Sequence, residues 1–68
     1  MSIGSIIKCE RKNRGWSQEK LAQKLRISRT TLGKYERDEI LVDLNTLISI
    51  SKLFHLSISE LFEEKKQK

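Results

Sequence analysis

The sequence predicts an all-α fold of five short helices. Three observations lead there. The 68 residues contain no proline. Apolar residues recur at three- and four-residue spacing along most of the chain. Four of the periodic stretches begin just after a Ser or Asp able to cap a helix. A chain this short makes one small domain with a marginal core, and such domains often gain stability by pairing. The single Cys excludes an internal disulfide. With no signal peptide visible, a reducing, cytoplasmic setting is expected. No apolar run approaches the roughly 20 residues needed to cross a bilayer.

The first helix is expected over Ser2–Asn13, with Ile3, Ile6, Ile7 and Cys9 on its apolar side. Arg11 lies one turn beyond Ile7 and therefore points toward the core. An unpaired charge there is costly, and Glu36 on the inner side of the third helix is the candidate partner. The alternative leaves both at the surface. Cys9 reads as a small half-buried filler, with no metal set or Cys–His dyad around it. Gly15 ends the helix in the left-handed conformation. Trp16 reads as a core plug packed like a hydrophobic staple, rather than a platform for a nucleobase.

Ser17 caps the second helix, Glu19 complements its dipole, and Leu21, Ala22 and Leu25 share one face. This helix stops near Leu25. Arg26 and Ile27 make the turn, at a modest strain cost if Arg26 is left-handed. Ser28 caps the third helix. Its inner face is Leu32, Tyr35 and Glu36, and its outer face carries Arg29, Thr30, Gly33, Lys34 and Arg37, all read as exposed.

The longest break is 37–43, where the apolar triplet Ile40, Leu41 and Val42 must fold back on the core or cover a partner. Asp43 caps the fourth helix, with Leu44, Leu47, Ile50, Ser51 and Phe54 as its buried stripe. His55 takes the left-handed position after it and reads as structural rather than as a ligand or base. Ser57-Ile58-Ser59-Glu60 is a capping box, so a fifth helix runs from Ile58 to about Glu64. The expected domain is 1–64, followed by a disordered basic tail over 65–68.

Ile7, Leu21, Leu25, Ile27, Leu32, Leu47, Ile50, Phe54, Leu56 and Leu61 suffice for a five-helix core. Leu41, Val42, Ile48, Leu53, Ile58 and Phe62 are surplus. Of these, Leu41, Val42, Ile58 and Phe62 form a candidate dimer face. The alternative is that several are partly buried.

The net charge of +5 is unevenly spread. Lys8 to Arg37 holds ten Lys or Arg against three Glu, while Asp38 to Lys68 holds four against six acidic residues. A polyanion partner is one reading, and plain solvation of helix surfaces is the other. The outer face of the third helix favours the first. A short helix with basic and hydroxylic residues at its start fits the major groove of DNA. Ser28, Arg29, Thr30 and Lys34 are the candidate base contacts. Arg29 suits the O6/N7 edge of guanine. Thr30 suits a thymine methyl or a single hydrogen bond. Lys34 suits a second guanine or a phosphate, and Ser28 either a base or a phosphate. Ser17 and Gln18, at the amino end of the second helix, are candidate phosphate contacts, with Arg14 and Arg37 flanking them.

The order and spacing of certain short motifs also carry a family resemblance. They are Gly15-Trp16-Ser17-Gln18, Leu21-Ala22, Ile27-Ser28, Leu32, Tyr35-Glu36, Leu44-Asn45-Thr46-Leu47 and Leu56-Ser57-Ile58-Ser59-Glu60-Leu61-Phe62. From Ile3 to Phe62 the chain resembles the Cro and C1 phage-repressor type of helix-turn-helix protein, the XRE family. That resemblance implies a five-helix, lambda-repressor-like DNA-binding domain. It also implies a buried ion pair at the Arg11 and Glu36 positions. The chain departs from the family pattern at Arg26 and Asp38, where Gly is common, and at Val42, where Pro is common.

The resulting expectation is a sequence-specific transcriptional regulator, most simply a repressor, binding a palindromic operator as a homodimer. Double-stranded DNA is the expected partner, with no membrane, metal or small-molecule cofactor. The expected location is the cytoplasm of a bacterium or phage host, at the nucleoid. The alternative is a protein-interaction module, such as an antitoxin or accessory partner, built on the same core. An enzyme has little support: one His, one Cys, no metal spacing and no phosphate loop.

Overall fold

A computed structural model describes residues 2–62, and of Phe62 the backbone alone. The expected tail over 65–68 and the expected last turn of the fifth helix lie outside the described residues. The helices are α1 (Ile3–Asn13), α2 (Gln18–Leu25), α3 (Arg29–Glu36), α4 (Leu44–Phe54) and α5 (Ile58–Phe62), with no strand among the described residues. The fold is the five-helix, lambda-repressor-like arrangement that the sequence predicts. α1 and α2 both pack on α3, α4 packs on α2 and α5, and α5 closes against α1. Ile7, Leu21, Leu32, Ile50 and Leu61 are completely buried where these helices meet.

Local chemistry fixes the helix starts. Ser2, Ser17, Ser28 and Asp43 each accept a hydrogen bond from the N–H three residues on, which satisfies a donor that the first turn leaves free. At α5 the bonds are reciprocal. Glu60 N–H donates to Ser57 Oγ (3.1 Å), and Ser57 N–H donates to Glu60 Oε1 (2.7 Å).

The helix ends share one closure. A left-handed residue follows each of the first four helices: Gly15 (φ 72°), Arg26, Asp38 and His55 (φ 60° each). The next residue's N–H then reaches back five residues. Trp16 donates to the Arg11 carbonyl, Ile27 to Ala22, Glu39 to Lys34 and Leu56 to Ser51.

Asp38 has a second task. Its carboxylate accepts from Gly4 N–H (3.1 Å) and Ser2 Oγ (2.6 Å), placing negative charge at the positive end of α1. Gly4 is required for this approach. A Cβ there would run into the Tyr35 carbonyl and lie 2.8 Å from that of Glu36.

Inside the core, Arg11 Nε donates to Glu36 Oε2 (2.8 Å) and Arg11 Nη2 to Glu36 Oε1 (3.1 Å). Both side chains are at least nine-tenths buried. Arg11 Nη1 also donates to the Trp16 carbonyl (2.9 Å), and Gln18 Nε2 to Glu36 Oε1 (3.0 Å). One ion pair therefore joins α1, the start of α2 and the end of α3.

Several expected placements are corrected. Cys9 is exposed, because it sits two residues past buried Ile7 and so on the opposite side of α1. Leu44 is 65 % exposed: it is the first residue of α4, and no element among the described residues covers it. Val42 and Ile58 are half-buried and packed on the core. Gly33 is buried, because the Arg37 side chain lies over it.

Arg11→Ala should destabilise the fold by about 3–5 kcal/mol, since Glu36 would be left as an uncompensated buried charge. Thermal or urea unfolding reads this directly, and a variant as stable as the parent would show the pair to be dispensable. A pH effect follows from Asp43. Hydrogen bonds from the Thr46 side chain and N–H, and then from Tyr35 Oη, hold its carboxyl below the usual carboxylate range. A depressed folded pKa contributes stability above the unfolded value of about 3.9, and that stability is lost as pH falls through the folded value. The urea midpoint should therefore drop in this acid window, and the drop should shrink in Asp43→Asn, which keeps a capping side chain.

Candidate nucleic-acid interface

The carboxyl side of the α2–α3 turn presents a short polar helix to solvent. The turn is set by Arg26 at φ 60° and by Ile27, whose half-buried side chain packs on the core. Leu32, Tyr35 and Glu36 anchor the inner face of α3, with Tyr35 Oη donating to Asp43 Oδ1 (3.1 Å). Burial, and then the Asp43 carboxylate, push the Tyr35 phenol up, so it stays a donor. With the inner face fixed, Arg29, Thr30, Lys34 and Arg37 are exposed on the outside.

Arg29, Thr30 and Lys34 make no side-chain hydrogen bond or ion pair among the described residues. Their donors are available to a ligand. Ser28 is more committed. Its Oγ accepts from Thr31 N–H (3.0 Å) and donates to Thr31 Oγ1 (2.9 Å), so one lone pair remains.

The amino end of α2 lies beside this helix. Ser17 Oγ accepts from Lys20 N–H (3.1 Å), and the first intrahelical bond is Leu21 N–H to the Ser17 carbonyl. The N–H groups of Gln18 and Glu19 precede that bond, and the helix dipole favours an anion in front of them. The Gln18 side chain is half-buried, with one amide hydrogen given to Glu36. It ties the amino end of α2 to the buried carboxylate.

Arg14 and Arg37, expected as flanking phosphate contacts, both make contacts within the molecule. The Arg14 guanidinium is used inside the molecule. It pairs with Glu10 (2.5 Å), donates to the Glu10 and Phe54 carbonyls, and stacks 4.7 Å from the Phe54 ring. It braces α1 against the end of α4. Trp16 belongs to the same stack: its ring lies 6.2 Å from Phe54, and Lys24 Nζ sits 4.7 Å from its centroid. Arg37 is exposed and forks onto Glu39, Nε to Oε2 at 2.7 Å and Nη2 to Oε1 at 3.4 Å. That contact raises the arginine further and lowers the glutamate carboxyl. Glu39 and Asp38 are missed by the sequence reading, because both act through contacts that periodicity does not encode.

The helix-turn-helix family model matches residues 7–61. The chain belongs to the Cro/C1-type helix-turn-helix family. Its members are DNA-binding transcriptional regulators. One relative is the HTH-type transcriptional regulator ImmR of Bacillus subtilis (strain 168), 39 % identical over 57 residues. The match takes in 84 % of this chain and 45 % of ImmR, so the chain spans less than half of that relative. Among solved structures, the P22 c2 repressor in complex with a synthetic operator superposes with a TM-score of 0.83 at 24 % identity. It covers 90 % of this chain and 92 % of its own, and at that identity it speaks for the fold alone. A point mutant of the restriction-modification controller protein C.Esp1396I superposes at 0.74 with 31 % identity, covering 91 % of this chain and 80 % of its own. Among the described residues no helix is long and apolar enough to cross a membrane, and no cluster of His, Cys, Asp and Glu could hold a metal ion.

Proposed function

We propose that this protein is a sequence-specific DNA-binding repressor that docks α3 in the major groove of its operator and acts as a homodimer in the bacterial cytoplasm, at the nucleoid. The observation that carries the reading is the exposed stripe of Arg29, Thr30 and Lys34, whose donors have no partner among the described residues while the opposite face of the same helix is buried. Arg29 reads guanine through two hydrogen bonds, Thr30 meets a thymine methyl or a single acceptor, and Lys34 reaches a second guanine or a phosphate. Ser17 and the open N–H groups of α2 hold the backbone phosphates, with Ser28 adding one acceptor at the start of α3. Occupancy of the operator then blocks polymerase without catalysis.

Pairing is supported by apolar side chains left in water. Leu41 is 95 % exposed, Leu44 65 % and Ile40 42 %, all within five residues of chain. Ile40 and Leu44 therefore join Leu41 in the proposed dimer face in place of Val42 and Ile58, and the Phe62 side chain lies outside the described residues. A two-fold pair would set its recognition helices about 34 Å apart, one turn of DNA, and would read a palindrome. The same strip would serve an accessory protein partner if the chain were an interaction module.

Selection from a random DNA pool should yield two inverted half-sites about one helical turn apart. Arg29→Ala should lose about 1–3 kcal/mol on the selected site and relax one position per half-site. A pool that yields no motif would remove the reading as a sequence-specific regulator. For assembly, Leu41→Glu should leave the fold intact, because the side chain is already in water, and should leave the protein monomeric in sedimentation equilibrium. A variant that still dimerises would move the interface elsewhere.

A further inference from the structure

We propose that Arg37 is a base-reading residue rather than a phosphate contact, and that Glu39 holds its guanidinium in the reading position. The proposal rests on α3 being the DNA-reading helix and adds a fourth side chain to its stripe.

Helical side chains lean toward the amino end of their helix, over the preceding turn. Arg37 follows that rule and has an unusual floor to lie on. Residue 33, one turn earlier, is Gly. Arg37 Nη1 lies 3.2 Å from where a Cβ of residue 33 would sit, and Cζ and Nη2 lie at 3.9 Å. The guanidinium therefore occupies the middle of the outer face of α3, one turn beyond Thr30 and beside Lys34. A phosphate contact from the end of the helix would instead point outward, away from that face.

The hydrogens that Glu39 leaves free have the right arrangement. Arginine carries five N–H donors around a plane. Glu39 accepts from Nε and from one Nη2 hydrogen, which uses one edge of the fork. The end-on edge, with one hydrogen from each Nη, has no partner among the described residues. Two parallel donors of this kind match O6 and N7 of guanine. Glu39 is itself placed by the backbone, because its N–H donates to the Lys34 carbonyl (2.9 Å) in the closure after α3. The carboxylate thus buttresses the guanidinium from a fixed point. It also removes the freedom that a long exposed arginine would otherwise lose on binding.

The test is site selection with the full chain, for wild type, Arg37→Ala, Arg37→Lys and Glu39→Gln. Both substituted side chains, Arg37 and Glu39, are exposed, so the fold survives all three variants. The wild-type motif should include a guanine that Arg37→Ala loses, with affinity for the selected site down about 5- to 150-fold. Arg37→Lys keeps the charge but not the planar fork, and should lose preference at that same position. Glu39→Gln removes a negative charge beside DNA and should tighten binding to random sequence. Its ratio of selected-site to random binding should nevertheless fall. The proposal is overturned if Arg37→Ala weakens selected and random DNA equally with an unchanged motif, or if Arg37→Lys matches wild type. A wild type that selects no motif would instead remove the DNA-reading assignment of α3 itself, and Arg37 with it.

Discussion

The carboxylate of Glu36 receives three hydrogen bonds from two other parts of the chain, and the geometry of the molecule depends on them. Arg11 supplies two and Gln18 the third, while the remaining arm of Arg11 holds the Trp16 carbonyl. Two ions taken out of water are tolerated only when nearly every lone pair and proton is matched. The match fixes where α1 crosses α3 and how far α2 stands from it. The elements it locks are those that present the polar surface: the start of α2, through Trp16 and Gln18, and the end of α3, through Glu36. The apolar core supplies the driving force, and the ion pair selects one arrangement of it.

The polar surface is pre-arranged by the groups that end its helices. Ser17 and Ser28 cap α2 and α3 and also border the proposed ligand face, so part of each hydroxyl is already spent. Arg29, Thr30 and Lys34 have no such duty. The division separates groups that hold the backbone from groups without a partner among the described residues. The charges follow it as well: Arg14 and Lys24, in the basic half of the sequence, lie against aromatic rings.

Much of the fold is legible in the sequence because its signals are local. Caps at Ser17, Ser28, Asp43 and Ser57 act over three residues, and left-handed turns at Gly15, Arg26 and His55 act over five. The inner and outer faces of α3 follow from helical period. What could not be read depends on which element lies opposite. Leu44 has the spacing of a core residue and no neighbour among the described residues to cover it. Arg14 looks like a free cation until Phe54 and Glu10 surround it. Gly33 looks exposed until Arg37 lies over it. Asp38 closes a contact with Gly4 that spans half the chain, and no short motif announces it. The candidate site divides in the same way. Arg29, Thr30 and Lys34 follow from the period of one helix, whereas the parts played by Gln18 and Glu39 need the tertiary structure.

The four matching helix closures bear on how the molecule comes apart. An isolated helix in a small domain usually frays from its carboxyl end, and amide exchange there is fast and independent of the rest. Here each of the first four helices ends in a bond from beyond the turn. Trp16, Ile27 and Leu56, which donate three of those bonds, also pack on the core, and Glu39 donates the fourth. Fraying one end therefore means lifting a core side chain, or undoing the segment through which Asp38 holds α1. Opening one joint exposes the surface that stabilises the next. Among α1 to α4, therefore, none can open its carboxyl end without disturbing core packing or the contact that holds α1.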